Sequence, residues 1–210
     1  MSSVANGPKS TRLPERNLKR SWRRFSRSTD GAAAIEFAIL SVPYFIIIFA
    51  ILETFVAFAA EQLVTNAVNT LGRQLRTGQI SGTLGHPNYK TEAQFRQLFC
   101  DEISIIIKCS SAELTSKNSK LIIDARSFAS FGQVPTSIPR TSSDAFADID
   151  TGSMKYAPGG PESINVLRAY YRWQVITDLV RPYITNIRPN GSMPTDFLIV
   201  ATTTFKSEKY

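Results

Sequence analysis

The side chains able to do chemistry are few in this 210-residue chain, and they are scattered. Its one histidine, His86, lies in a Gly-Pro loop with no neighbouring carboxylate or nucleophile. No nucleophile elbow, zinc-protease pair, phosphate loop or dinucleotide turn occurs. Cys100 and Cys109 have eight residues between them. Two thiols and one imidazole do not complete a four-ligand metal shell, and nothing adjacent would depress a thiol pKa. A disulfide is the better reading, because a turn or helix end can bring the two Cα atoms within about 7 Å. In an oxidising compartment that pairing is the default. Asp144, Asp148 and Asp150 offer oxygen ligands for calcium, but their spacing is not that of an EF-hand loop; the simpler alternative is a solvated acidic loop. Arg168, Tyr170, Arg172 and Trp173 alternate in a way that can stack nucleic acid. On an exported domain they instead pack a sheet and face water, so no nucleic-acid partner is expected. Neither catalysis nor a cofactor is expected.

Two other carboxylates stand out by the company they keep. Glu36 and Glu53 bracket the run from Phe37 to Leu52, which holds no charged residue. At about 1.5 Å rise per residue, this run and its Ala-rich flanks can cross a hydrocarbon core roughly 30 Å thick. A carboxylate so close to hydrocarbon is costly unless it is paired or held at the interface. In an intact chain Glu36 can reach the headgroups beside the arginines that precede it. If the chain were cut after Gly31, the new ammonium at Ala32 would stand one helical turn from Glu36. That cation, or its counterpart on a neighbouring subunit, would then face the carboxylate. Such a pair selects register between helices more than it adds stability.

The charge distribution orients the span. Of the net +7, six units sit in residues 1–30, where eight Lys and Arg face Glu15 and Asp30. Basic residues just ahead of a hydrophobic span mark a cytoplasmic flank; a basic arm for nucleic acid or anionic lipid is the alternative. Trp22 and Phe25 suit an interface among arginines. The chain therefore divides into a basic cytoplasmic leader (1–31), a transmembrane helix (32–60) and an exported domain (61–210).

The segment Gly31-Ala32-Ala33-Ala34-Ile35-Glu36-Phe37, behind a basic leader and ahead of an apolar helix, resembles the processing motif of type IVb prepilins. More narrowly, GAAAIEFAILSVPYFIIIFAILE is similar to the opening of TadE-like pseudopilins of the tight-adherence (Flp) pilus system. The resemblance implies that a prepilin peptidase cuts after Gly31, that Ala32 starts the mature chain, and that Glu36, followed by Phe37, serves subunit recognition. Pro43 matches the family's helix proline, which can kink a membrane helix where neighbours satisfy the freed carbonyl. The implied partners are that peptidase, the major pilin, sister pseudopilins, the inner-membrane assembly platform and the lipid bilayer. The implied location is the bacterial inner membrane, with the C-terminal domain in the periplasm. Two other readings stay open: a membrane-anchored periplasmic enzyme or ligand-binding domain, and a protein secreted by a cut after Ala59 in Ala57-Phe58-Ala59.

The elements that must position these residues read as α+β. Leu63, Val64, Ala67, Val68, Leu71 and Leu75 recur at helical spacing beyond the span, with Gly78 as a stop. A turn-rich linker follows over 78–90, then a second helix with Thr91 as N-cap and Gln94 three residues on. The run Ile105-Ile106-Ile107 fits either that helix's end or a strand. Lys120–Phe128, Ile164–Ile176 and Phe197–Phe205 have strand character. Residues 132–161, rich in Pro, Ser, Asp and Gly, read as a long surface loop. The whole predicts a small antiparallel sheet laid against helix, pilin-like in layout. The C-terminal FKSEKY resembles the "E-x-Y/F" ending of TadE-like chains.

Overall fold

The computed structural model describes residues 29–116, 119–178, 180–188 and 194–210. Most of the expected leader, with Trp22 and Phe25, lies outside the described residues. One helix, α1 (Thr29–Arg76), carries both the apolar run and its amphipathic continuation. The chain divides into two compact units, residues 1–48 and 49–210.

In the first unit, Ala and straight-chain or branched apolar residues sustain the helix, and their side chains face outward. Ile35, Phe37, Ile39 and Leu40 are all exposed. The helix is long and apolar enough to cross a membrane. Pro43 lies inside it; lacking an N–H, it leaves the Ile39 carbonyl without its usual donor. Beside that carbonyl, the Ser41 hydroxyl donates to the Ala38 carbonyl at 3.1 Å.

In the second unit α1 becomes amphipathic and buries one stripe: Ala60, Val64, Ala67, Val68, Leu71 and Leu75. Their spacing of three and four residues keeps them on one face. Each large member contributes about 1.5–3 kcal/mol by leaving water. Gly72 lets the helix approach the sheet closely, since a Cβ there would lie 2.5 Å from Thr203 Cγ2. The helix stops where Gly78 takes a φ of +73°, a conformation that favours glycine. The C-terminal tail closes that end. The Glu208 N–H donates to the Arg76 carbonyl at 2.8 Å, the Glu208 carboxylate pairs with Arg76 at 3.3 Å, and the Tyr210 ring covers Gly78.

The second helix, α2 (Glu92–Ile103), begins with a full capping box: Thr91 accepts from the Gln94 N–H while Gln94 reaches back to the Thr91 N–H. It ends before the three isoleucines, which form a turn rather than a strand; Ile107 is buried and Ile105 is exposed. A one-turn helix, α3 (Ser111–Thr115), follows, capped by Ser110. The disulfide joins Cys100 in α2 to Cys109 just ahead of α3, with the Cα atoms 5.8 Å apart.

Strands β1 (Leu121–Phe128), β2 (Tyr156–Ala157) and β3 (Ile164–Gln174), the short helix α4 (Arg181–Ile184) and β4 (Asp196–Lys206) complete the α+β unit. The sheet order is β2-β1-β3-β4. Ile123 stands opposite Ala169, and Ala169 opposite Ala201, in the antiparallel core. The sheet is mixed, however, not wholly antiparallel: β2 joins the β1 edge in parallel, Ala125 opposite Tyr156. The long connection from β1 supplies the crossover that a parallel neighbour needs.

That connection corrects a second expectation. Far from being only a surface loop, residues 132–161 cover the sheet face turned away from the helix. Ile149 and Met154 are buried against Ile122, Tyr170 and Leu198, with Ile187 beside them. The opposite face (Leu121, Ile123, Leu167, Ala169, Ile199 and Ala201) packs on α1 and α2. With both faces covered, the interior of β3 is buried from Asn165 to Tyr171, the pattern of a strand sandwiched between layers.

Candidate functional site

The residues singled out for processing lie together on the first turns of α1. Ala32 and Glu36 are four apart, and on a helix that spacing puts them on one side. They share it with Ile35, Ile39 and Leu40. Glu36 and Phe37 are exposed, and no cation among the described residues lies within ion-pair distance of Glu36. The arrangement offers a carboxylate, flanked by aliphatic surface, to whatever packs on this helix.

The second glutamate of the apolar run behaves differently. The half-buried Glu53 carboxylate accepts hydrogen bonds from two consecutive backbone N–H groups after β3, those of Ile176 and, at 2.9 Å, Thr177. Consecutive amides converging on one carboxylate form charge-assisted bonds. Sequence reasoning noted Glu53 as the end of the run and did not find these partners, since they are main-chain groups more than a hundred residues away.

Arg96 also escaped the sequence reading. It is 2% exposed and joins three elements: Nε donates to Glu92 at 3.1 Å, and Nη1 donates to the carbonyls of Glu113 and Leu121, each at 3.0 Å. The only mark it leaves in the sequence is a Glu at i−4, which any solvated helix pair would show. Next to it, the Glu113 carboxyl is pushed up by burial and pulled down more strongly by the Ser110 hydroxyl and N–H, with Lys120 assisting; it ends below the usual carboxylate range. Burial, with Tyr89 and Glu92 nearby, holds the Tyr156 phenol well above the ordinary tyrosine range.

The basic-aromatic strand has its cations engaged inside the protein. Arg168 donates to the Pro135 carbonyl at 2.7 Å, the Ser137 carbonyl at 3.3 Å and Thr202 Oγ1 at 2.9 Å, fastening the covering loop to the sheet. Arg172 pairs with Asp148 at 2.8 Å. The three aspartates considered for calcium serve separate local roles. Asp144 Oδ1 accepts from the Phe146 N–H and Asp150 Oδ1 from the Gly152 N–H, while Asp148 holds Arg172. Among the described residues no group of three or more His, Cys, Asp and Glu is placed to hold a metal ion. His86 stacks its edge on Tyr210, ring centroids 5.3 Å apart.

Neither curated proteins nor solved structures yield a match to this chain. Its N-terminal helix does match a family model: residues 31–73, from the glycine ahead of Glu36 to the arginine in the last turn of α1, are similar to the TadE-like protein family.

Proposed function

We propose that this chain is a non-enzymatic, pseudopilin-like component needed to assemble tight-adherence pili. The observation that carries the reading is the TadE-like segment over 31–73 with Glu36 exposed and without a cation among the described residues. In this reading a prepilin peptidase cuts after Gly31, freeing the Ala32 ammonium. Ala32 and Glu36 then set helix register against the major pilin, sister pseudopilins or the inner-membrane platform. Pro43, with its missing N–H, gives the helix a place to bend when neighbours pack on it. The helix sits in the bacterial inner membrane and the disulfide-bonded domain works in the periplasm, where oxidation is favoured. The action is packing: the domain presents surface to other pilus components and performs no bond chemistry.

The test is the mature N-terminus and the piliation of a mutant. Mass spectrometry of protein from cells holding the peptidase should begin at Ala32. Glu36→Ala should leave the protein expressed and cut yet reduce pili on the surface. A chain that keeps Met1, or normal piliation in the mutant, would count decisively against the proposal.

A further inference from the structure

The uncharged run ends at Leu52, and the next residue, Glu53, grips the amides of Ile176 and Thr177. That grip brings a loop of the second unit to the place on α1 where apolar sequence gives way to polar. The side chains the loop presents there are unusual for a water-facing turn. Ile176 is 83% exposed and Tyr183, in α4, is 86% exposed. The neighbouring helix surface is apolar too: Phe49, Ile51, Leu52, Phe55 and Phe58 are all more than half exposed. Tyr183 and Ile184 border a shallow cleft with Thr54, Ala57, Phe58 and Phe197, and Glu61 lines the same cleft. Between Thr177 and Tyr183 in sequence, Asp178 and Arg181 pair at 2.6 Å and add no net charge.

We infer that Ile176 and Tyr183 form a second membrane contact, inserting into the headgroup–acyl boundary of the bilayer beside α1. The inference rests on reading the apolar run as a membrane span. The chemistry fits that boundary better than water or the hydrocarbon centre. Tyrosine has an apolar ring and a polar tip, the combination enriched at membrane interfaces. The N–H groups of Ile176 and Thr177 are bonded to Glu53, which lowers their cost in a low-dielectric setting. Asp178 and Arg181 offset each other's charge and Glu61 leaves a carboxylate at the cleft, so nothing here attracts anionic headgroups and insertion is driven by apolar area. Glu53 is the positioning residue: by holding the two amides it fixes the depth at which Ile176 meets the bilayer.

The test uses the full chain in phosphatidylethanolamine–phosphatidylglycerol vesicles. Both native cysteines are in the disulfide, so a single added thiol takes an environment-sensitive fluorophore. Labels go on Ile176→Cys, Tyr183→Cys, the span control Phe45→Cys, and Leu84→Cys, an exposed residue beside the far end of α1. Lipids with a nitroxide high on the acyl chain quench labels at the boundary, and lipids with one near the chain end quench the span control at Phe45. The Ile176 and Tyr183 labels are expected to shift to the blue and lose about half their emission or more, as befits groups about 5–10 Å into the boundary; the Leu84 label should do neither. If Phe45 is quenched while Ile176 and Tyr183 behave like Leu84, the second contact is refuted and the span stands. If Phe45 is itself unquenched, the span reading fails and the inference falls with it.

Discussion

Replacing Glu53 tests whether one carboxylate holds the loop after β3. Glu53→Ala removes the acceptor shared by the Ile176 and Thr177 N–H groups. A hydrogen bond to a charged group contributes about 1.5–3 kcal/mol. Glu53 is only half-buried, so water replaces part of the loss and screens the charge. Two bonds total about 3–6 kcal/mol undiscounted; screening and water replacement bring the pair down to about 2–3 kcal/mol. Because every 1.4 kcal/mol is a factor of ten, local opening at these amides should become about 30- to 100-fold more frequent. Glu53→Gln keeps an amide oxygen as acceptor. Neutral hydrogen bonds are roughly half as strong as charge-assisted ones, so its effect should be about 1 kcal/mol, near five-fold.

Hydrogen exchange followed by mass spectrometry on the detergent-solubilised full chain reads this directly. The peptide spanning Ile176 and Thr177 should exchange faster in the order wild type, Glu53→Gln, Glu53→Ala. Peptides from α2 and β1 should be unchanged, since those elements have their own hydrogen bonds and core contacts. Glu36→Ala should leave the loop peptide at the wild-type rate. Unaltered exchange at Ile176 and Thr177 in Glu53→Ala would refute the argument. Equal acceleration across the sheet would refute it as well, because it would make Glu53 a support of the whole unit and not of one loop.

The disulfide and an acid-side titration give two further expectations. Cys100→Ser with Cys109→Ser should lower the stability of the 49–210 unit by about 2.5–3 kcal/mol, the chain-entropy value for so short a loop; urea unfolding followed by Trp173 emission measures it. Glu113 has its folded pKa held below the ordinary 4.5, so its contribution is complete above pH 4.5 and is lost as pH falls through the lowered value. Ser110→Ala removes the hydroxyl that stabilises the anion, and its urea midpoint should therefore lie below wild type at neutral pH by a gap that narrows in acid, where only the lost cap to the Ala112 N–H remains.

Local order was legible in the chain where a short-range pattern coincided with a physical need. The Thr91 and Gln94 box marked the start of α2, the stripe from Val64 to Leu75 marked the buried face of α1, and the two cysteines pointed to their bond. The three long strands were visible as β-branched and aromatic runs. What stayed hidden depends on partners distant in sequence. Two-residue β2 carries no pattern and exists because the returning chain meets the β1 edge. Ile149 and Met154 are isolated apolar residues among Pro, Ser and Asp, and nothing near them shows that they cover Tyr170. The Arg96 guanidinium is buried only because three elements converge on it. The readings of Gly31, Ala32, Glu36 and Phe37 rest on the resemblance of their segment to a family motif and belong to the proposal, whereas nothing in the sequence marked the partners of Glu53.

The contrast between the two glutamates of α1 bears on how such a helix can act. Both stand at edges of an apolar run, where an ionised carboxylate without a partner is expensive. For Glu53 the fold removes the problem with two amides of its own chain. For Glu36 the described residues provide no cation, and the side chains around it are aliphatic and exposed. A lone monomer in a bilayer would have to hold Glu36 at the headgroups. A second helix carrying a cation at the matching height would relieve that constraint and cover Ile35 and Ile39 at the same time. On the proposed reading this asymmetry is the source of assembly specificity: one carboxylate fastens the loop after β3 to its own helix, and the other stays unfilled until a neighbour arrives in register.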